Sequence, residues 1–485
     1  MPTNYSPVSR HGRLTLPPAA AGGAAPLTGV EPAVSAPRRL VDDALGAPVR
    51  RAYHYLDVVQ DAYVAGGQPR LLQSYNNESG LLTSAFVYDN ALAILAYLAT
   101  PAVANVRRAR LIGDALLWVQ ANDETYADGR VRQAYAAGPM LFYGGGPAFP
   151  GLERDDGKAA FLGPFGFSGS STGDVAWVGI ALAQLYVDTR IGKYLDGAVA
   201  LADWIAARPS PHRYGGYHGG VQPDGETAQP WVSTEHNIDA YALFVLLAKL
   251  TRDRRWNARA AVAAAFVRAM WNQADRFFWT GTLGGVASED PNAVNTGNIP
   301  EDVQTWSLLA LGDRHHDASV DWVLGHLSNT DGGADSQLPA GVHLTGVTYS
   351  TEAKRMTGPI AGSDLPNHGG AVWLEGTAHT ALALLERGGQ GDAAKARQAL
   401  AQIVVAQEQV GGGQTVGRTA DPAGGRLSDP AQGGSWTGSP LPARSGIVAA
   451  TSAFDTGFGF GYFPRQHVGA TAWFLMAAQR FNPFR

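Results

Sequence analysis

The sequence predicts an all-α fold in which six inner and six outer helices form two concentric rings. Three observations predict it. Apolar-periodic segments alternate between helices that are apolar on every face and helices that carry one polar stripe. The connections alternate as well, short after an all-apolar helix and long after a striped one. The starts of the all-apolar helices echo one another in sequence.

Taken in order, the periodic segments cover residues 38–65, 83–99, 104–121, 173–187, 190–208, 234–251, 255–273, 301–312, 315–328, 370–387, 391–410 and 467–481. The apolar periods run at helical spacing, and no long strand is evident. Short aromatic stretches such as 276–286 suit small hairpins within loops. Segments 83–99, 173–187, 234–251, 301–312, 370–387 and 467–481 are rich in Ala, Leu and Trp on all sides. The others set Arg, Lys, Asp and Gln on one side. A helix apolar all round is buried, and one with a polar stripe faces water. Strict alternation of the two kinds therefore puts one set inside the other.

Turns such as Asp188-Thr189 follow the inner helices, whereas 122–172, 209–233, 274–300, 329–369 and 411–466 follow the outer ones. Loops of this length inside a compact domain usually carry function. Antiparallel alternation places all of them on one face, above the N-termini of the inner helices. The echo among those N-termini runs Gly173-Asp174-Val-Ala-Trp177, Glu301-Asp302-Val-Gln-Thr-Trp306, Glu375-Gly-Thr-Ala-His379 and Gly469-Ala-Thr-Ala-Trp473. Its spacing is too irregular for a solenoid and suits a closed ring with variable loops.

Composition narrows the function. The chain has 485 residues, 45% apolar and 16% charged, which is ample for a large core and excludes a mostly disordered chain. A net charge of −5 gives no basic field for nucleic acid or an anionic membrane. With no cysteine, thiolate zinc, iron–sulfur and thiol chemistry are excluded. The 60 Gly and 12 Trp point to shaped loops between the helices. Residues 1–37 read as a flexible tail and 38–485 as one catalytic domain. No apolar leader follows Met1, and Arg38-Arg39 runs into Leu-Val-Asp-Asp, which is no twin-arginine signal. The expectation is a cytoplasmic protein, or an exported one whose leader has been removed. No stretch is long and apolar enough to span a membrane.

These features resemble the (α/α)6-toroid glycoside hydrolases over about residues 38–481. Within that group the chain looks like the endo-β-1,2-glucanases and related glucanases. The resemblance implies a single (α/α)6 toroid that cleaves an oligo- or polysaccharide, mostly with inversion, and that needs no cofactor. A monomer or weak oligomer is expected.

The residues themselves offer the acids such chemistry needs. In Trp231-Val-Ser-Thr-Glu235-His236-Asn-Ile-Asp239, Ser233 or Thr234 can cap the following helix. Glu235 is then either a first-turn acid balancing the helix dipole or a group entering a central cavity with His236 and Asp239. Asp89, Asp174, Asp302 and Glu375 open other inner helices. Singly each suits a cap; converging on one mouth, they would face one another. Glycoside hydrolysis needs one protonated carboxyl and one ionised carboxylate. Glu235 is expected to be the acid, with Asp302, then Asp174, then Asp89 as base. Glu375 and Asp455 are reserves, and Asp455 equally suits an Asx turn. Tyr88, Trp231, Trp279, Tyr349, Trp436 and Tyr462 offer faces on which sugar rings stack, or anchors for the loops. Neither Gly144–Gly146 nor Gly411–Gly413 is a phosphate loop, as both lack the Lys-Ser/Thr pair.

Other chemistries use helical toroids. Asp155-Asp156 is too little for a terpene cyclase. A polysaccharide lyase needs Tyr or His near a cation, for which Lys354 and Arg355 are the candidates. A sugar epimerase would use paired histidines among His236, His368 and His379. A non-catalytic glycan-binding protein would keep the aromatics alone. No metal is required, although loop Asp and Asn side chains suit calcium.

Overall fold

The computed structural model describes residues 40–485 apart from 64–68, 77–80, 139, 142–147, 164–165, 287, 334–335, 362, 364 and 417–438. The 1–37 tail lies outside the described residues. Twelve α-helices occur among them: α1 (Gly46–Asp61), α2 (Val87–Ala99), α3 (Val103–Ala121), α4 (Thr172–Thr189), α5 (Gly192–Ala206), α6 (Thr234–Thr251), α7 (Arg255–Ala269), α8 (Glu301–Leu311), α9 (Ala318–His326), α10 (Leu374–Arg387), α11 (Asp392–Gln409) and α12 (Val468–Ala478). Each even-numbered helix packs on the next even-numbered one, and α12 returns to α2. The odd-numbered helices pack on the outside, with α1 against α12 and α3 to α11 each against the preceding inner helix. The architecture is the (α/α)6 toroid that the alternation predicts.

Several predicted helices are shorter than their apolar pattern, most of all the first, expected over 38–65 and found at Gly46–Asp61. Residues 84–86 form a short strand before α2, and before α10 residues 369–370 turn and Trp373 is extended. Helix α7 ends at Ala269, because Asn272 accepts the amides of Ala274 and Asp275 in an Asx turn and Trp271-Asn272 pairs with Phe277-Phe278. The turns from inner to outer helix are tight. Arg190 and Arg252 close α4 and α6 in the left-handed region at φ 58°, as Gly312 and Gly388 close α8 and α10.

A repeated device locks the long loops over the mouth. The first residue of every inner helix donates its amide to a loop carbonyl at 2.8–3.1 Å: Val87 to Gln133, Thr172 to Gly219, Thr234 to Thr280, Glu301 to Tyr349, Leu374 to Ala449 and Val468 to Ser74. Each acceptor comes from the segment that enters the next inner helix around the ring. These bonds satisfy one of the orphan donors of each helix start. The fourth residue of the helix grips its own entering segment. Asn90, Asn237 and Gln304 each exchange two hydrogen bonds with the backbone of Leu72, Tyr217 and Phe278. Thr377 and Thr471 accept from Val347 and Ile447. In all five cases the gripped residue lies two before the carbonyl that serves the neighbouring helix. An extended segment with period two thus bridges each pair of adjacent inner helices. Short antiparallel pairings complete this collar, such as Ser170-Ser171 on Val221-Gly220 and Val232-Ser233 on Thr282-Gly281.

Below the collar the ring is filled by side chains. The sixth residues of the inner helices include Trp177, Trp306 and Trp473, whose centroids lie 5.1–5.8 Å apart. Phe484, near the C-terminus, packs under them at 4.9 Å from Trp177. The toroid is therefore filled at this level.

Candidate active site

Above the tryptophan floor lies a cavity of about 830 Å³. Its walls are the first turns of the inner helices and the loop segments above them. The second position of α6, α8 and α10 carries Glu235, Asp302 and Glu375, and the third position of α2 and α4 carries Asp89 and Asp174; all five line the cavity. Glycines hold the second position of α4 and α12, where there is no room for more. A methyl on Gly173 would sit 2.6 Å from the His236 ring, and one on Gly469 would sit 2.5 Å from Asp89 Oδ1 and 2.9 Å from Glu375 Oε2.

The acids differ in environment. Ser171 caps α4 by accepting the Asp174 amide and returns its hydroxyl to Asp174 Oδ2 at 2.7 Å. Burial pushes Asp174 up to about 6, against the pull of Ser171 and Gln133. Ser233, rather than Thr234, caps α6. Glu235 stands well above the usual carboxylate range through burial, reinforced by the charges of Asp302, Asp174 and Glu375. Burial, and then the nearby Glu301, lift Asp302 to about 8. The two neighbours in Glu301-Asp302 are thus separated in role. Glu301 turns away from the cavity, accepts Thr380 Oγ1 at 2.8 Å and lies 3.0 Å from His379 Nδ1.

A second group spans the seam between α12 and α2. His467 caps α12 through Nδ1, which accepts the Ala470 amide. Its Nε2 lies 3.0 Å from Asp89 Oδ1, and its Nδ1 lies 3.6 Å from Glu375 Oε2. Burial lowers the affinity of this imidazole for a proton, but Asp89 and Glu375 outweigh it and the net shift is upward. Glu375 is raised by burial, while His467, His379 and the Tyr88 hydroxyl, which donates at 2.7 Å, draw it back. Trp473 Nε1 in turn donates to Tyr88 at 3.0 Å.

Most of the residues singled out in the sequence come together here: Tyr88, Asp89, Asp174, Trp231, Glu235, His236, Asp302 and Glu375 all line the cavity. His236 is a neutral imidazole, lowered to about 4 by burial, with Trp231 beside it at 5.3 Å. Three expected residues lie elsewhere. Asp239 is four residues beyond Glu235, about 6 Å down the axis, and is fully buried in the floor layer beside Trp177. Trp279 packs edge-on against Phe277 at 4.5 Å, outside the cavity. Asp455 is the Asx turn: it accepts from Ala361 and Gly457 and braces the loop. Trp436 and Gly144–Gly146 lie outside the described residues. Of the alternative candidates, Lys354 and Arg355 border a separate surface pocket and His368 pairs with Asp331, so none of the three reaches the cavity.

Sequence reasoning missed Tyr75, Gln133, Arg465 and His467, which also line the cavity. Tyr75 stacks on His467 with centroids 4.2 Å apart. His467 was legible as a polar residue opening an apolar helix; the others sit in loops without a periodic signal. Among the described residues no three His, Asp or Glu side chains form a metal-ligating group, and no helix is long and apolar enough to cross a membrane.

No protein-family model and no curated protein matches the chain. Solved structures do. It is similar to a family 76 glycoside hydrolase from a bovine Bacteroides thetaiotaomicron strain (TM-score 0.51, 11% identity, 90% of this chain and 78% of that one). It is similar to a sugar epimerase from a ruminal bacterium (TM-score 0.52, 10% identity, 89% and 98% covered). It is also similar to an α-amylase from Clostridium perfringens (TM-score 0.50, 10% identity, 90% and 98% covered). The likeness to glucanases finds no counterpart in these three. At such identities the likeness concerns the fold, and the chain has the α/α-toroid fold found in these carbohydrate-active enzymes.

Proposed function

We propose that the protein is a glycoside hydrolase that cleaves an oligo- or polysaccharide, with Glu235 as general acid and Asp174 as general base. The observation that carries this reading is the convergence of first-turn carboxyls of unequal proton affinity on one cavity. Burial and its acidic neighbours raise the proton affinity of Glu235 well above that of an ordinary carboxyl, as suits a proton donor to a leaving oxygen. Asp174, at about 6, is ionised at neutral pH yet basic enough to draw a proton from water. Asp302, at about 8, keeps its proton, which argues against the first rank the sequence gave it as base. Asp89, with His467 beside it, is the second choice.

In this scheme a sugar ring enters from the loop face and rests against Trp231. Glu235 protonates the glycosidic oxygen as the bond to the anomeric carbon breaks. Water, deprotonated by Asp174, adds to that carbon from the opposite side. Inversion is part of the proposal on the resemblance to inverting toroid hydrolases. The test is a panel of β-1,2-glucan, other β-glucans, α-mannan and starch, with reducing-end release and the anomer of the first product read by proton NMR. Release from at least one polymer, with none by E235Q, is expected; release of an unsaturated product instead would replace hydrolysis with elimination.

One observation favours a second reading. His236 and His467 both line the cavity, as a sugar epimerase or isomerase with two imidazoles would require. Incorporation of solvent deuterium into a monosaccharide without chain cleavage would select that reading.

A further inference from the structure

We propose that the cavity contains a subsite for an anionic substituent on the sugar, a carboxylate or a sulfate ester, with Arg465 as its cation. This rests on the glycan-cleaving reading above and narrows its substrate to acidic sugars. Arg465 lies two residues before His467 and lines the same cavity. No other lysine or arginine does so among the described residues.

Arg465 is half-buried, and its guanidinium lacks a match at Nε. Its Nε is buried with no hydrogen-bond partner, and no ion pair of this side chain occurs among the described residues. Arg110 Nε, outside the cavity, is unpartnered as well, whereas the more deeply buried arginines are matched. Arg132 meets Asp123 at 2.5 Å, Arg130 meets Asp128 at 2.6 Å and Arg387 meets Asp392 at 2.8 Å. A buried donor left without an acceptor is destabilising, more so when charged. Its retention at a cavity wall is explained by a ligand that completes it. The planar fork of a guanidinium fits two oxygens of one carboxylate or sulfate.

The cavity's own acids do not use this charge. The groups that shift Asp174, Glu235, Asp302 and Glu375 do not include Arg465. Nor do Glu235 and Asp302 exclude an anion, because burial raises both toward the uncharged form. The acids crowd the first turns of the helices, whereas Arg465 sits on the loop that enters α12. An acidic sugar would thus meet the Arg465 cation on the loop side, with the raised carboxyls of Glu235 and Asp302 among the groups at the helix starts.

The experiment is calorimetric titration of the full chain with D-glucuronate, D-glucose 6-sulfate and D-glucose, for the wild type, R465M and R465K. The expected result is that one or both acidic sugars bind the wild type at least about tenfold more tightly than glucose. R465M should lose that preference, and R465K, which keeps the charge but not the fork, should keep part of it. Preference for glucuronate assigns a carboxylate, and preference for the sulfate assigns a sulfate ester. Glucose bound as tightly as both acids, or a preference that survives in R465M, overturns the proposal. If R465M does not fold, R465K and R465Q carry the same comparison. Binding of a monosaccharide is independent of cleavage. An acid preference without release from any polymer would leave the subsite standing and remove the hydrolase reading.

Discussion

His467 Nε2 lies 3.0 Å from Asp89 Oδ1 across the seam where the last inner helix closes against the first. The same imidazole approaches Glu375, so one side chain ties together three inner helices. Gly469 is the reason they can meet. A methyl there would fall 2.5 Å from Asp89 Oδ1, 2.8 Å from His467 Cε1 and 2.9 Å from Glu375 Oε2. G469A is therefore expected to destabilise the fold by about 1–3 kcal/mol through overpacking. It should also lower kcat/KM, because the acids must move apart. Thermal melting and steady-state kinetics check this, and a variant with unchanged melting and activity would show that the seam is slack.

The pH profile follows from Asp174. A general base acts ionised, so activity should fall as pH drops through about 6, where Asp174 takes up a proton. D174N should lower turnover at least about 100-fold and abolish that acid limb. E235Q should lower turnover at least about 100-fold as well, across the whole range. An acid limb that persists in residual D174N activity would assign the base to another carboxylate, with Asp89 next in line.

Stability carries a separate signature at Asp302. Burial raises its folded value to about 8 from an ordinary 3.8, so the folded chain holds a proton that the unfolded chain releases. Its cost therefore grows as pH rises from about 4 to about 8 and is constant above that. Each unit is equivalent to about 1.4 kcal/mol, so D302N is expected to gain on the order of 2–5 kcal/mol over the wild type at pH 8 and little at pH 4. Melting temperatures at the two pH values decide it. An equal gain at both would trace the effect to packing rather than to ionisation.

Asn237 tests the collar. It exchanges two hydrogen bonds with the Tyr217 backbone and so seats the segment that leads to Trp231. N237A leaves a buried amide and a buried carbonyl unpaired, which is expected to cost about 2–4 kcal/mol. KM should rise more than kcat falls, because Trp231 loses its seat while Glu235 keeps its helix. The comparison with E235Q, which should lower kcat while leaving melting at or above the wild-type value, separates scaffold from chemistry.

The sequence by itself determined the two rings. Apolar faces must leave water, and helices such as α4 and α12, apolar all round, have only the interior to occupy. The side on which the site lies was legible from loop lengths, and five of its acids from their place in the first turn of an apolar helix. Tertiary structure decided the rest. Helical periodicity states how residues repeat along one axis, not the azimuth at which that axis is docked. That azimuth is set by the collar, where Thr234 bonds to Thr280 and Asn237 to Tyr217 across long stretches of chain. It turns Asp302 into the cavity and Glu301 away from it, although the two are adjacent in sequence. Depth was undecided for the same reason. Asp239 shares a face with Glu235, yet one turn separates a cavity wall from an aromatic floor. The partners of His467 come from helices far apart in sequence, and only closure of the ring brings them within reach of one imidazole.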